Sequence, residues 1–590
     1  MADAVRGIEL RVLDGPNLYY PRPAIKLTLA VPGWMRASEA RVSEIAARLG
    51  VSGAATPGAP GSQHRRRLVA RIAAQLTRRQ AVASGARRLA VSGTPGNDPD
   101  LIVVAFPWRR RAAAEALARE TALGMNAILR RSPERWIAES GRRLAAVEPG
   151  EEPTVPDPAI PVIQVTGTNG KTTTVRLLAH LVRAAGRSVA YSSTDGVYRD
   201  DGELVEGGDY SGFGGAAMAL AQDPDIAVLE TARGGMLLRG IGVRHNDVAV
   251  VTNVSADHLG LHGVDTVDQL AEVKAIVTRI TRPGGWDVLN ADDPRVLAMR
   301  RRATGRPWLC SLHPDQPALH EAQHDGGRAM TVLDGSLTWF EDHVAHPLLP
   351  VEDVPMTLSG VSGTNTQNAL AAAAAALAIG LPERAVISGL RTFVLDPERN
   401  PGRANLFRLD GRIVVVDYAH NEAGMQGLTE VLDGLRVAGR DVWLAICTAG
   451  DRSDEILQAF ALRAALGSDH LAVADLLRYL RGRDRDDIVA HLRAGAREAG
   501  VDDVPEYEDE LHALRGMLHE SRRGDVVGVT ALGMRPEIFA WLEGAGASRL
   551  GPGDVRRIVR RARDSRTEVA AQGFDASSLR SGARDARSAN

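Results

Sequence analysis

The stretch Val165-Thr166-Gly167-Thr168-Asn169-Gly170-Lys171-Thr172-Thr173 decides the fold of this chain. The apolar, β-branched run at 161–165 predicts a buried parallel strand before it, and the apolar spacing at 175–185 predicts a helix after it. A strand, a glycine turn and a helix in this order direct backbone N–H groups and a helix N-terminus at a phosphate. The spacing departs from the GxxxxGK[ST] pattern, because Val165 stands where that pattern has its first glycine. We therefore predict a phosphate-binding loop, with a chance glycine-rich turn as the alternative.

Lysine is rare in this chain, which gives weight to the lysine of the loop. Of the 71 basic residues only three are lysines, namely Lys26, Lys171 and Lys274. A compact ammonium fits between phosphate oxygens where a planar guanidinium does not, and a threonine hydroxyl next to it can bind Mg2+. We therefore expect ATP and Mg2+ at this loop, bound by Gly167, Thr168, Asn169, Gly170, Lys171, Thr172 and Thr173.

Composition and charge argue against several functional classes. A net charge of −2 does not favour nonspecific nucleic-acid binding, and 4% aromatic residues provide no platform for stacking bases. The two cysteines, Cys310 and Cys447, predict neither a disulfide framework nor a zinc site and fit a reducing cytosol. The N-terminus has no signal-peptide pattern, and the longest apolar stretch, at 369–381, is too short to span a bilayer. We expect a cytoplasmic protein without a membrane partner, and 369–381 as a buried helix.

The chain divides by composition and periodicity into three predicted domains and a tail. The central part alternates strands with helices, which is typical of a parallel α/β sheet. A proline-rich stretch before it reads as a linker. The arginine-rich end, with many Ser, Ala and Gly, is expected to be helical in part, at Val555 to Arg563, and disordered towards its end. The predicted boundaries are an α+β domain at 1–150, a linker at 151–160, a phosphate-loop domain at 161–398, a Rossmann-like α/β domain at 399–548 and the tail at 549–590.

Polar side chains follow the predicted strands of the central domain, where open α/β sheets bind ligands. Glu230 ends an apolar strand and precedes a glycine turn, so it is placed to hold Mg2+. His258 follows the strand at 248–251 and is a candidate metal ligand, although a lone histidine is more often structural. Asn290 ends a further strand in the segment LNADDP and offers an amide suited to an adenine edge.

Lys274 lies on a predicted helix, where a solvated surface lysine is the simpler interpretation. The rarity of lysine weakens that interpretation, because CO2 can carbamylate an amine to a metal-binding anion and does not readily do so with a guanidinium. The second α/β domain supplies Asp417 and His420 in the strand-end segment VDYAHN, and Arg403 precedes this segment near the hinge between the domains.

These segments, in this order over about residues 161–545, resemble the Mur ligase family. The resemblance is carried by GTNGKTT, the strand-end Glu230, DHLG, the helix lysine, LNADDP and DYAHN. It is closest to the Mur-ligase-like half of cyanophycin synthetase, which shares segments at 193–198, 208–212, 230–235, 450–452 and 481–483. Residues 10–31 resemble the N-terminal domain of that enzyme more weakly. About 150 residues precede the phosphate loop, too few to hold an ATP-grasp domain as well.

The resemblance implies an ATP-dependent acid–amino-acid ligase. A substrate carboxylate attacks the γ-phosphate of ATP, and an amine then displaces phosphate from the acyl phosphate. The ATP-grasp half of the related enzyme adds aspartate to a backbone and the Mur-like half adds arginine to the aspartate side chain, so we expect an amino acid such as arginine and an aspartyl-type carboxylate. The implied roles are catalysis by Lys171, Glu230, His258, Lys274, Arg403 and His420, metal binding by Thr172, Glu230, His258 and carbamylated Lys274, and nucleoside contacts by Asn290 and Asp417.

Other functions are compatible with the same residues. One is a nucleotide-binding partner or regulatory subunit of a separate ATP-grasp ligase, which loss of Lys171, Glu230 or Lys274 would have favoured. Another is a folylpolyglutamate-synthase-like ligase, whereas a lipid-linked amidating relative is expected to show a zinc cysteine cluster that two cysteines cannot form. We expect a homo-oligomer, and the acceptor can be a polymer, a peptide or a small metabolite.

Overall fold

The computed structural model describes residues 4–200, 202–475 and 479–585, with side chains described as far as residue 569. These ranges contain three β-sheets, which follow one another along the chain. Within them, none of the helices combines the length and the apolar character needed to cross a membrane.

The first sheet is antiparallel and belongs to a unit with its own core. Its elements are β1 Arg6–Leu13, β2 Ala24–Ala30, α1 Pro32–Arg36, α2 Glu39–Leu49, α3 Gln63–Ala83, β3 Ser92–Pro95, β4 Leu101–Pro107, α4 Arg111–Ala127 and α5 Pro133–Ala145. The strands are ordered β1-β2-β4-β3, and helices pack over Trp34 and Phe106 in the core. The α+β character matches the prediction for this part of the chain.

The second sheet belongs to the middle unit and carries the phosphate loop. Its elements are β5 Val162–Thr166, α6 Lys171–Ala184, β6 Val189–Ser193, β7 Gly196–Arg199, β8 Glu203–Gly207, α7 Phe213–Leu220, β9 Ile226–Glu230, α8 Arg233–Leu238, β10 Asn246–Val251, α9 Val267–Lys274, β11 Thr281–Asn290, α10 Pro294–Met299, β12 Arg306–Ser311, α11 Pro317–His324, β13 Arg328–Leu333, β14 Ser336–Glu341, β15 Val344–Pro350, α12 Gly363–Ala378 and α13 Glu383–Thr392. Short 3-10 turns lie at 277–279, 351–353 and 355–357.

The middle sheet is parallel only at its centre, which corrects the expectation of a parallel sheet. The eleven strands among the described residues are ordered β15-β14-β13-β12-β11-β10-β5-β9-β6-β7-β8. The pairs β13–β14, β14–β15, β6–β7 and β7–β8 are antiparallel. The turns Asp334-Gly335 and Asp342-His343 have positive φ at both residues, which is the two-residue geometry that joins antiparallel strands. These two-residue turns are the signal in the sequence that predicts the hairpins.

The third sheet belongs to the C-terminal unit. Its elements are β16 Asn405–Leu409, β17 Arg412–Asp417, α14 Glu422–Leu435, β18 Val442–Ile446, α15 Asp454–Leu466, β19 His470–Ala474, α16 Arg485–Glu498, β20 Glu506–Tyr507, α17 Glu510–Glu520, β21 Val526–Thr530, α18 Arg535–Gly544, β22 Ser548–Arg549 and α19 Pro552–Asp585. The order is β20-β19-β18-β21-β17-β16-β22, with β16 and β22 antiparallel to their neighbours. The parallel centre follows the predicted Rossmann-like α/β character.

The C-terminal tail is helical over Pro552–Asp585, which confirms the helix predicted at 555–563, whereas the disorder predicted for the remainder is wrong for the described part. Helix α19 buries Val555, Ile558, Val559 and Ala562, and the first three join the core cluster that also contains residues of α12 and α14. The apolar residues recur at helical spacing, and this outweighs the arginine-rich composition on which the prediction of disorder rested. Residues 586–590 lie outside the described residues.

Helix α12 confirms the buried helix predicted at 369–381. Residues 369–376 are all buried, and the helix packs between β10–β13 on one side and α14 of the C-terminal unit on the other. Alanine side chains allow this close approach of the two units. The carboxyl ends of the middle strands therefore face the C-terminal unit across a cleft.

Candidate active site

The phosphate loop lies between β5 and α6, where the sequence predicts it. Gly167 has φ +153° and Gly170 has φ +82°, a backbone region that favours glycine. A Cβ atom at Gly170 would lie 2.2 Å from Oδ1 of Asn368, and one at Gly167 would lie 1.9 Å from Oγ1 of Thr252. The two glycines are therefore required both by the backbone and by the packing of the loop.

Lys171 and Thr172 begin helix α6 and face the cleft. The Lys171 Nζ donates to the Thr168 carbonyl at 2.9 Å, and the Thr172 hydroxyl donates to Glu230 Oε2 at 2.8 Å. Glu230 ends β9, which is the neighbour of β5. The strand-end carboxylate and the loop hydroxyl predicted for the metal are thus in direct contact.

Glu230 is a buried carboxylate with one unused oxygen. It is 2% exposed, and among the described residues its Oε1 has no hydrogen-bond partner. Burial raises the pKa of Glu230, although Lys171 and Arg403 oppose this rise. A buried acceptor without a donor costs free energy unless a cation or a donor is supplied. This oxygen therefore fits a cation site.

Lys274 is the last residue of α9 and is buried rather than solvated. It is 3% exposed, and its Nζ donates to the Gly167 carbonyl at 2.6 Å, beneath the phosphate loop. Burial, together with Lys171 nearby, lowers the pKa of Lys274 well below its ordinary value. Since a neutral amine is the form that reacts with CO2, this environment fits the carbamylation expected from the sequence.

His258 joins the middle unit to the C-terminal unit. It has φ +51°, and its Nδ1 lies 3.1 Å from Asp451 Oδ2 and 3.1 Å from an Arg452 nitrogen. Asp257 pairs with Arg452 at 3.2 Å. Burial would raise the pKa of Asp257, but His420, His258 and Arg452 hold it well below its usual range.

Arg403 and Asp417 lie on the hinge side of the cleft. The Arg403 guanidinium donates to the Thr172 hydroxyl at 3.2 Å and lies over the Tyr418 ring at 5.2 Å. Burial lowers the pKa of Arg403 and raises that of Asp417. Both Asp417 oxygens accept backbone N–H groups, from Ala404 and Ala419. Asp417 thus lines the cleft, but its two oxygens already bind backbone groups of the hinge, at Ala404, and of the loop after β17, at Ala419.

His420 and its neighbour Asn421 bring the C-terminal unit onto the phosphate loop. The His420 Nε2 lies 3.9 Å from Asp257 Oδ2. The Asn421 amide exchanges two hydrogen bonds with the Asn169 amide, at 3.0 and 3.1 Å. The two units are therefore closed on each other in this structure.

Asn290 does not reach the main cleft. Its Nδ2 donates to the Thr252 carbonyl at 2.8 Å, and the side chain lines a separate small cavity with Cys310 and Gln367. Asn368 borders both this cavity and the main cleft. Asn290 is therefore separated from the main cleft by Asn368, and its contact with a nucleoside stays a prediction.

The remaining predicted site residues share one cleft of about 920 Å³. The cleft is lined by residues of both the middle and the C-terminal unit. Some of these residues, such as Asp195 and Arg535, were not predicted as site residues from the sequence. Asp195 pairs with Arg176 of α6 at 2.8 Å and with Arg535 of α18 at 3.6 Å. Asp257 and Asp195 lie within segments that carry the family resemblance, whereas no motif in the sequence marks Arg535.

Thirteen of the residues predicted from the sequence line this cleft. They are Gly167, Thr168, Asn169, Gly170, Lys171, Thr172, Thr173, Glu230, His258, Lys274, Arg403, Asp417 and His420.

The oxygen atoms of Thr172 and Glu230 fit a hard cation whose remaining ligands are water and phosphate oxygens. Mg2+ uses one or two carboxylates together with substrate phosphates, and Thr172 and the free oxygen of Glu230 are such donors. Within the described ranges, three His, Cys, Asp or Glu side chains converge within 4.8 Å only at Glu508, Asp509 and His512, which do not line the cleft. The cleft therefore contains no dense cluster of protein ligands such as a structural metal site would have.

The N-terminal unit docks beside the cleft. Arg239, after α8, donates twice to Asp14, at 3.0 and 2.7 Å. A Cβ atom at Gly15 would lie 1.8 Å from the Ile241 carbonyl, so the turn of the N-terminal unit fits closely against the middle unit. The Arg239 guanidinium is thereby bound to the N-terminal unit through Asp14.

Comparison with known sequences gives two family matches. The Mur ligase middle domain matches residues 165–376, and the Mur ligase, glutamate ligase domain matches residues 402–533. Between them the matches contain every predicted site residue.

Three known proteins illustrate the similarity. Cyanophycin synthetase of Crocosphaera subtropica is 37% identical over 379 residues, covering 62% of this chain and 42% of that protein. UDP-N-acetylmuramyl-tripeptide synthetase of Deinococcus radiodurans is 30% identical over 389 residues, covering 63% of this chain and 73% of that protein. The structure of E. coli FolC in complex with DHPP and ADP has a TM-score of 0.50 and 21% identity, covering 66% of this chain and 90% of FolC. The chain thus spans about two fifths of the length of the cyanophycin synthetase, and the FolC likeness supports the fold.

Proposed function

Since the chain belongs to the Mur ligase family, we propose that it is an ATP-dependent ligase that joins a carboxylate to an amine through an acyl phosphate. The acceptor we propose is an aspartyl-type carboxylate and the amine is an amino acid such as arginine. Similarity to cyanophycin synthetases over 62% of this chain supports this choice of substrates.

One observation supports the proposal most strongly. The phosphate loop of the middle unit is in direct contact with the C-terminal unit, through Asn169 with Asn421 and Thr172 with Arg403. A reaction between ATP and two further substrates needs such a closed, shared cleft, because positioning the reacting groups supplies a large part of the rate. A protein that only bound nucleotide would not need cationic groups from a second unit at the γ-phosphate.

The first step forms the acyl phosphate. An oxygen of the acceptor carboxylate attacks the γ-phosphorus, the bond from this phosphorus to the bridging oxygen breaks, and ADP leaves. Lys171 and the loop N–H groups would hold the β- and γ-phosphates, and Arg403 would offset charge on the transferred group. Thr172, Glu230 and His258, with a carbamate on Lys274, are the residues that would hold Mg2+, whose charge when bound offsets that of the phosphate oxygens.

The second step forms the amide. The neutral amine attacks the acyl carbon, the carbon–oxygen bond to phosphate breaks, and the amine loses a proton as phosphate leaves. Within the described residues, His420 of the C-terminal unit forms a pair with Asp257 of the middle unit across the cleft. We propose that His420 orients the amine there, and that Asn290 and Asp417 support the nucleoside indirectly through Asn368 and the loop after β17.

The experiment is phosphate release from ATP and Mg2+ with aspartyl peptides and each amino acid, for the wild-type protein, Lys274→Ala and Lys26→Arg. Lys26 lies outside the cleft and pairs with Glu9, so Lys26→Arg is the matched control. We expect turnover that requires one acceptor–amine pair, is lost in Lys274→Ala and is kept in Lys26→Arg. Nucleotide binding without turnover on any pair would instead favour a partner subunit of a separate ligase.

A further inference from the structure

Glu510 is a buried carboxylate to which neither the sequence nor the proposed mechanism assigns a role. It is the first residue of α17 and is fully buried, with 0% exposure. It accepts backbone N–H groups from Leu532 at 2.7 Å, Gly533 at 2.9 Å and Met534 at 2.7 Å. The Cys447 thiol donates to it at 3.0 Å.

The three N–H groups belong to the loop that joins β21 to α18. Successive N–H groups that converge on one point form an anion-binding concavity, and here the anion is the protein's own side chain. The loop carries Leu532 and Arg535, which both line the cleft. Arg535 also donates to the Pro401 carbonyl of the hinge at 3.2 Å. The carboxylate of Glu510 thereby fixes the loop that presents Arg535.

The thiol contact links Glu510 to a second loop. Cys447 directly follows β18, and its backbone N–H donates to Thr530 Oγ1 at 2.7 Å. Burial and the nearby Glu510 raise the pKa of Cys447, so its thiol stays protonated and acts as a donor. The loop then continues to Asp451 and Arg452, which contact His258 and Asp257 of the middle unit.

We propose that Glu510 is a positioning residue for the ligation reaction, because it joins the loops at 447–452 and 531–535 so that Arg452 and Arg535 meet the middle unit together. The inference rests on the proposed function. Glu510 lines no part of the cleft, and it acts through Arg452 and Arg535 rather than on a substrate.

The first variant to test is Glu510→Gln. Glutamine has nearly the same size but only one acceptor oxygen, so its amide nitrogen would face either the Met534 N–H or both the Leu532 N–H and the Cys447 thiol, and at least one loop donor loses its acceptor. We expect kcat to fall about 100-fold, as for a small misplacement of cleft groups. The Kd for ADP should change less than about twofold, because the phosphate loop lies in the middle unit. Glu510→Asp keeps the charge and should recover part of kcat.

A double-mutant cycle with Arg535→Ala separates positioning from general stability. Because Glu510 acts partly through Arg535 and partly through Arg452, the double variant should lose more kcat than Arg535→Ala alone, but less than the product of the two single losses. An unchanged kcat in Glu510→Gln, or losses that multiply in the double variant, would overturn the proposal.

Amide hydrogen exchange tests the proposal without turnover. We expect the N–H groups of residues 532–534 to be strongly protected in the wild-type protein and to exchange faster in Glu510→Gln, with no change at 167–173. Should Glu510→Gln not fold, Cys447→Ala removes only the thiol contact and should lower kcat about threefold. Fast exchange of 532–534 in the wild-type protein would overturn the positioning role, whereas a wild-type protein with protected loops and no turnover would count against the proposed ligase activity alone.

Discussion

The middle sheet and the C-terminal sheet both present the carboxyl ends of parallel strands to the cleft, but they hold their functional groups differently. At the middle edge, Lys171 and Thr172 directly follow a glycine loop, and the packing of that loop leaves no room for a Cβ atom. At the C-terminal edge, Arg452 and Arg535 lie on separate loops that share the distant Glu510 as their anchor. On the proposed function, the middle edge binds nucleotide and the C-terminal edge closes on it.

The largest effect is expected for Gly170→Ala, which tests the rigidity of the middle edge. The matched control is Gly186→Ala, since Gly186 has φ +75° but nothing within 4 Å of its Cβ position. Both variants carry backbone strain of about 1–2 kcal/mol, and only Gly170→Ala adds a clash with Asn368, costing about 1–3 kcal/mol. Isothermal titration should show ADP affinity about tenfold to 100-fold lower than in the control. Equal ADP affinities in the two variants would show that the contact between position 170 and Asn368 does not constrain the phosphate loop.

Next in size is the effect of Glu230→Gln on stability. Burial raises the folded-state pKa of Glu230 above its ordinary 4.5, so the folded protein binds this proton more tightly than the unfolded chain. The contribution of Glu230 to stability is therefore fully present below pH 4.5 and is lost as the pH rises through its folded-state pKa. Glu230→Gln should escape this loss and be more stable than the wild type at pH 8, by about 1–3 kcal/mol, with a smaller difference at pH 5.

Thermal unfolding with and without MgADP measures this effect. The exposed Glu321, paired with Arg300, provides the control Glu321→Gln, which should leave the midpoint unchanged. MgADP should raise the midpoint of the wild type more than that of Glu230→Gln. A less stable Glu230→Gln at pH 8 would show that the carboxylate is not strained by its burial.

Helix α19 gives a third, smaller effect and tests how the C-terminal unit is attached. Val559 is 1% exposed and Val569 is 58% exposed. Val559→Ala should lower the free energy of unfolding by about 1.5 kcal/mol, and Val569→Ala should change it by less than about 0.5 kcal/mol. Chemical denaturation measures both. Equal, small effects would mean that α19 does not pack in solution as it does in this structure.

The smallest effect is expected for Asn421→Ala, which removes the two amide contacts with Asn169. The loss should lower kcat about tenfold, because a hydrogen bond contributes about 1 kcal/mol, and it should leave the ADP affinity unchanged. Asn97→Ala, which removes an amide contact between the N-terminal unit and Asp265, is the control and should keep kcat. An equal fall of ADP affinity and kcat in Asn421→Ala would erase the distinction between a binding edge and a closing edge.

The contrast between the two edges also explains what could be predicted from the sequence. The phosphate loop and Glu230 are found because strand, glycines and polar group are adjacent in the chain, and the rarity of lysine singles out Lys274. The anchor Glu510 could not be found, because it is more than 20 residues from the loop amides it binds and only the fold brings them together. Asn290 was expected at the nucleotide, and it lines a separate small cavity that borders the main cleft at Asn368, a residue from a distant helix. In the tail, the helix at 555–563 could be predicted from the sequence, but its continuation to Asp585 could not, because the composition there is rich in Arg, Ser, Ala and Gly.

Transfer of 18O from the acceptor carboxylate tests the central claim most directly. The acceptor that supports turnover is labelled with 18O in its side-chain carboxylate, and the released phosphate is analysed by mass spectrometry. An acyl phosphate intermediate predicts one 18O atom in each phosphate released, because the attacking carboxylate oxygen leaves with the phosphorus. Unlabelled phosphate would show that ATP is hydrolysed without activating the carboxylate, and would contradict the account.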